Sequence, residues 1–282
     1  MKTQIMKHIS FLTLFLLSLV YAQAQPEDKK LGKITFLMVD GKFEDAAFKS
    51  QKLIEDPEYR KSGWAWYYLA QANFEIAKKP ELQEDYPKAM KDALKAAYKL
   101  DKYKNKPAEN MAVYDEAKEF LAKLKDSTIT ISEIYYDNND ARKAAYYLKS
   151  ITKFDEDDYA VWLMKGVYEI KSRNVGEGVK SIMLAMENLS LDYVPDPESA
   201  QTLVDALDEF ALIVKSGEYD KYFASYKYEP TQKDIDDALV MKEKMKEYIK
   251  GKEVNIEARK KESETIFKSF RSDDVEEEED DE

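Results

Sequence analysis

The chain has 282 residues, with 44 Lys and Arg against 56 Asp and Glu, a net charge of −12, eight Gly, eight Pro, no Cys and a single His. A net acidic chain lacks the basic surface that displaces counterions from nucleic acid, and the same charge disfavours an anionic membrane as partner. The one His is His8, inside the N-terminal apolar segment, so the rest of the chain cannot build a Ser-His-Asp or Cys-His nucleophile, a thiol redox pair, a disulfide framework or the usual zinc site.

The chain opens on Lys2 and Lys7, then the apolar run ISFLTLFLLSLV (9–20), then Ala22-Gln23-Ala24. This order of charge, apolar run and small residues predicts a secretory signal peptide over 1–24, cleaved after Ala24. The run is shorter than the roughly 20 residues a spanning helix needs. The expected product is therefore an exported protein, periplasmic in a Gram-negative cell or secreted, with no transmembrane segment and no lipid-accepting Cys. At the other end, nine of the last ten residues (DDVEEEEDDE) are acidic. Segment 271–282 reads as a disordered, solubilising tail without an apolar anchor.

Gly and Pro are scarce and no long stretch alternates with period two, so the fold class is all-α. Taken in order, KKLGKITFLMVD (29–40) and GKFEDAAFKSQKLIEDP (41–57) read as a helix pair, the second with Ala46 and Leu53 on its packing side and Asp56-Pro57 at its end. The segment around AWYYLAQANFEIAKK (65–79) is helical, and after the connection KKPELQE a second helix is expected over 85–101, with Asp85 as cap and Pro87 in the first turn. Beyond Pro107, NMAVYDEAKEFLAKLKDSTITISEIYYD reads as one long helix to about Asp137, or as two, and its β-branched cluster Thr128-Ile129-Thr130-Ile131 is taken as helix. Segment 197–216 is amphipathic through Leu203, Leu207, Phe210 and Ile213, with Gly217 closing it and 218–229 as its partner. After Pro230 a charged helix over 231–250 and another to about Phe270 form a C-terminal capping hairpin over 230–270.

The helices repeat. Ser132, Ala144, Leu148 and Ile151 are followed 34 residues later by Gly166, Gly178, Ile182 and Ala185, with small and large residues at matched places. Trp66, Leu69 and Ala70 fit the first three marked positions of W-x2-L-G-x2-Y, while Asn73 departs at the fourth, beside Phe74. On these residues the chain resembles the tetratricopeptide repeat family, strongly over 61–101 and 125–192 and loosely over the rest of 25–229. The resemblance implies a right-handed solenoid of helical hairpins whose concave face binds proteins or peptides and rarely catalyses.

The same resemblance assigns Trp66 and Trp162 to packing between helices. To the concave face it assigns Trp64, Tyr67, Tyr68, Gln71 and Phe74, then Asp126, Ile129, Thr130, Glu133, Tyr136 and Asp137, then Ala160, Leu163, Met164, Val167, Ile170 and Lys171. Tyr and Trp suit recognition because they offer large contact area for few torsions. The strip is either an open groove or is covered by neighbouring helices. Acidic, apolar and Gln residues stand where a carboxylate-binding repeat would carry Lys, Arg or Asn. The acids of 155–158 sit at a repeat junction and read as helix caps or solvated charge; without a Gly at the sharp turn and a closing Glu they do not form a calcium loop.

The expected function is a non-catalytic scaffold or adaptor, with no cofactor and no metal. It would bind a segment of another envelope protein, for instance within an outer-membrane assembly or secretion complex. The alternatives are a holdase-like carrier of unfolded exported chains and a carboxylate-dependent glycosidase, which would need two facing carboxyls about 5–10 Å apart.

Overall fold

The structure is a computed structural model that describes residues 28–250. The expected signal peptide (1–24), the helix running to Phe270 and the acidic tail lie outside the described residues. Within them the chain forms α1 (Lys29–Val39), α2 (Phe43–Glu55), α3 (Gly63–Ala77), α4 (Ala89–Lys102), α5 (Asn110–Asp137), α6 (Ala141–Ile151), α7 (Tyr159–Lys171), α8 (Val175–Asn188), α9 (Ala200–Ser216), α10 (Asp220–Ser225) and α11 (Gln232–Lys250). No strand occurs among the described residues, so the fold is all-α. No helix there is long and apolar enough to cross a membrane.

Local chemistry sets the helix starts. The Asp28 carboxylate accepts from the backbone N–H groups of Lys30 and Leu31 at the head of α1, and the phenol of Tyr59 donates to its other oxygen at 2.6 Å. Ser62, Asp140 and Asp158 cap α3, α6 and α7 in the same manner, each satisfying one of the N–H groups a first turn leaves unpaired. Gly217, at φ +64°, closes α9 in the left-handed conformation that a Cβ penalises.

Consecutive helices pack as hairpins, α1 on α2, α3 on α4, α5 on α6 and α7 on α8, and each pair packs on the next through α2–α3, α4–α5 and α6–α7. The first helices of neighbouring pairs also meet directly, as α1–α3, α3–α5 and α7–α9. The tightest crossing is α7 with α8. A Cβ on Gly166 would stand 2.8 Å from the Gly178 carbonyl, and one on Gly178 would stand 2.7 Å from the Gly166 carbonyl. One pair earlier, at the matched places, the Ser132 hydroxyl donates to the Ala144 carbonyl at 2.8 Å, with both residues buried. The two hairpins thus cross at the same pair of positions, where small side chains let backbones touch. The tryptophans repeat a contact too. Trp66 Nε1 donates to the Arg60 carbonyl and Trp162 Nε1 to that of Glu156, each six residues upstream and each at 2.9 Å.

Two expectations differ in detail, and a third resolves to the first of its two alternatives. Helix α4 starts at Ala89 rather than 85: a 3-10 turn (Pro80–Leu82) and further turn bonds, Tyr86 N–H to the Leu82 carbonyl and Ala89 N–H to that of Tyr86, use up residues 83–88. Residues 110–137 are one helix, with the Thr128–Ile131 cluster buried inside it. The expected partner of α9 shrinks to the six-residue α10, which packs on α8 through the buried Phe223. Helix α9 pairs instead with α11, which buries Ile235, Ala238, Met241 and Met245 and adds Lys242 on Asp208 at 2.6 Å.

Candidate functional site

The rings of α3 form one connected set. Trp64 stacks on Tyr68 with centroids 5.4 Å apart, Tyr67 on Tyr68 at 5.8 Å, and Trp64 meets Tyr67 at 5.9 Å. Phe120 of α5 closes the strip from one side, 5.7 Å from Tyr67 and edge-on to Phe74 at 5.9 Å. Thr35 of α1 closes it from the other, its hydroxyl 2.8 Å from that of Tyr68. Trp64, Tyr67 and Gln71 remain half-buried, each with part of its surface accessible. Burial pushes the phenols of Tyr67 and Tyr68 up to about 12, and the nearby Glu116 carboxylate adds to both shifts. Burial likewise raises Glu116 above the usual carboxylate range. The strip therefore offers flat apolar area, amide and phenol groups, and a partly desolvated carboxylate.

Nine of the residues expected on the concave face are buried: Tyr68, Phe74, Ile129, Thr130, Ala160, Leu163, Met164, Val167 and Ile170. Tyr68 is held under α1 and Phe74 under Phe120. Met164 and Val167 are buried where α7 packs against α9, and Met164 lines, with Ile129, Leu148, Tyr168 and Thr202, a gap too small for a water molecule. The apolar stretch of the second half, including Ile129, Ala160, Leu163 and Ile170, is interior packing rather than a groove. What remains accessible there is polar. Tyr136 stacks on Tyr168 at 4.3 Å, and Lys171 reaches Glu209 at 2.8 Å.

A second constellation gathers charged residues far apart in the chain. Lys125 of α5 is 2% exposed, and its Nζ lies 2.7 Å from Asp155, 3.1 Å from Asp158 and 2.5 Å from Asp196. Asp158 also caps α7 through the Val161 N–H and accepts from the Ser199 hydroxyl. Burial alone would depress Lys125, but the charges of Asp158 and Asp155 outweigh it and hold the ammonium well above an ordinary lysine. Burial raises Asp155 despite the same lysine. The three carboxylates have oxygens within 4.8 Å of one another, a spacing that suits a cation. The cation they hold is the ammonium, so the cluster ties α5 to the α6–α7 junction and to the segment before α9. Asp155 and Asp158 were legible as caps; Asp196 lies 71 residues from Lys125, and no local pattern connects them.

A smaller charged knot lies inside the α7–α8 pair. Lys165 meets Glu169 at 2.8 Å and donates to the Ser181 hydroxyl at 2.7 Å, all three buried.

No protein-family model matches the chain, and a search of curated proteins returns no match.

Proposed function

We propose that the chain is a tetratricopeptide-like solenoid of stacked hairpins, capped at its C-terminal end by α11, and that it serves as an exported, non-catalytic scaffold gripping a segment of another envelope protein along the accessible part of the α3 ring strip. The solenoid reading rests on the crossing that recurs at a 34-residue shift, small residue against small residue. The cap reading rests on α11 covering α9 with one apolar side while its exposed surface, Val240 apart, is polar or charged, as terminal units of repeat proteins require.

The observation that carries the function is the half-covered ring set of Trp64 and Tyr67 beside Gln71. Its rings are locked by Tyr68 and Phe120, so little side-chain freedom is lost when a partner lies on them. The charged clusters support a non-catalytic role, because their carboxylates are already engaged by Lys125 or Lys165 and Ser181.

The test replaces the accessible members only: Trp64→Ala, Tyr67→Ser and Gln71→Ala together, in protein recovered from the native envelope after cross-linking. Partners identified by mass spectrometry should be lost while circular dichroism is unchanged. Full retention of those partners by a folded triple variant would refute the α3 face as the site.

A further inference from the structure

The first helix pair breaks the rule for a terminal unit. Its outward side should be polar, yet Phe36 is 63%, Val39 80% and Phe48 59% exposed. Gly32, Phe36 and Leu37 floor a shallow depression, with Lys29, Lys33 and Lys49 around it. At Gly32 a Cβ would meet nothing within 4 Å, so the floor is open down to the backbone. Lys30 and Lys42 of the same pair reach Asp56 and Asp40, whereas Lys29, Lys33 and Lys49 engage no carboxylate among the described residues.

An occupant must bring large apolar groups for the floor and negative charge for the rim. A second copy docking face to face would set these lysines against their own counterparts. Residues 1–27 supply apolar groups but only one acid, Glu27. The C-terminal segment supplies both, because Phe267 and Phe270 are followed, after Arg271-Ser272, by DDVEEEEDDE (273–282). The seventeen residues from Lys250 to Phe267 span about 26 Å as the helix expected there and up to roughly 60 Å when fully extended.

We propose that segment 267–282 docks on the outer face of α1 and α2, with Phe267 and Phe270 over Gly32 and Phe36 and the acidic run along Lys29, Lys33 and Lys49. The contact would close the apolar end of the stack and, being an exposed charge contact, would weaken with salt.

Zero-length carbodiimide cross-linking of the full chain, mapped by mass spectrometry, tests this. Amide links should join Asp and Glu of 273–282 to Lys29, Lys33 or Lys49, in preference to exposed lysines elsewhere such as Lys118 and Lys233. A mixture of isotopically labelled and unlabelled chains tells whether the tail comes from the same copy or a neighbour. Gly32→Leu places bulk in the depression from a position where a Cβ meets nothing within 4 Å, and should abolish the links at an unchanged or slightly higher melting temperature. Phe267→Ser with Phe270→Ser should abolish them without altering α1 or α2 at all. Links spread evenly over all surface lysines, links that survive both variants, or a dimer through this face that persists when 267–282 is deleted would each overturn the proposal.

Discussion

Gly166→Ala tests the stacking at its tightest point. In an exposed helix the change stabilises, because Ala is favoured over Gly by about 1 kcal/mol. Here the added methyl would stand 2.7 Å from Ile182 Cγ1, 2.8 Å from the Gly178 carbonyl and 2.9 Å from the Ile182 nitrogen. Two of those neighbours are backbone, so no rotamer change relieves them; α7 and α8 must move apart. Overpacking of this kind costs about 1–3 kcal/mol, and forcing two backbones apart belongs at the upper end. Net of propensity, we expect a loss of about 1–2 kcal/mol, or roughly 2–8 °C in melting temperature for a unit of this size. Gly32→Ala is the control, since the same methyl at Gly32 meets nothing and should raise stability by up to about 1 kcal/mol. Urea and thermal denaturation followed by circular dichroism read both signs. A Gly166→Ala protein as stable as the parent would mean that the helices do not cross there. Adding Gly178→Ala to Gly166→Ala should cost less than the two single losses summed, because the helices have already separated.

Three other perturbations follow. Lys125→Met leaves Asp158 and Asp155 without their counter-charge and should cost about 3 kcal/mol at neutral pH; the deficit should shrink at pH 4 as Asp155, whose carboxyl burial raises, takes up a proton, and an equal deficit at both pH values would exclude the charge tie as its cause. Asn110→Ala removes the acceptor for the Gly63 N–H at 2.7 Å and the donor to the Lys61 and Tyr103 carbonyls at 2.7 and 2.9 Å. Stranding buried backbone groups should cost about 2–4 kcal/mol, and Asn110→Asp, which keeps the acceptor but not the donors, should fail to restore stability in urea melts. In alkali, Tyr67, Tyr68 and Tyr135 have folded values near 12 against an ordinary 10.0, so they favour the folded state fully below pH 10 and lose that contribution as pH rises from 10 towards 12. Tyrosinate absorbance and helical dichroism should therefore change together in that window, whereas complete ionisation with the helices intact would contradict the burial.

The features legible in the sequence are those with local causes. Small residues spaced for helix crossing mark Gly166 and Gly178 because close approach leaves a compositional trace. Gly217 marks the end of α9 because left-handed backbone selects glycine. The start of α4 at Ala89 is hidden in the sequence because Asp85 and Pro87 are equally good at opening a helix and at building the turn that precedes one. Burial of Tyr68 and Phe74 depends on where Phe120 and Thr35 arrive, which the α3 pattern alone does not encode. Met164 and Val167 share a face that would be concave in a short stack, but α9 reaches back onto α7 and fills it. Lys125 sits in the charged run AKLKD of a long helix, where it resembles its solvent-exposed neighbours until residues 30, 33 and 71 positions away converge on it.

That last contrast bears on how hairpins of similar shape keep their order. The contacts at Ser132–Ala144 and Gly166–Gly178 stand at matched places and differ by a Cβ on each side, so packing penalises a shifted stack there only by the overpacking cost of about 1–3 kcal/mol. Charged ties discriminate strongly. Removing a buried charge from its partner costs several kcal/mol, while the paired state need gain little over an apolar equivalent. Among the described residues Lys125 faces three carboxylates drawn from both sides of the α7–α8 pair, and a shift by one hairpin would set Tyr159, which stands 34 residues after it, in its place. The tie therefore acts through the penalty it imposes on wrong registers. Correct order is what brings α1, α3 and α5 side by side, and with them the ring strip whose accessible part the proposed scaffold function uses.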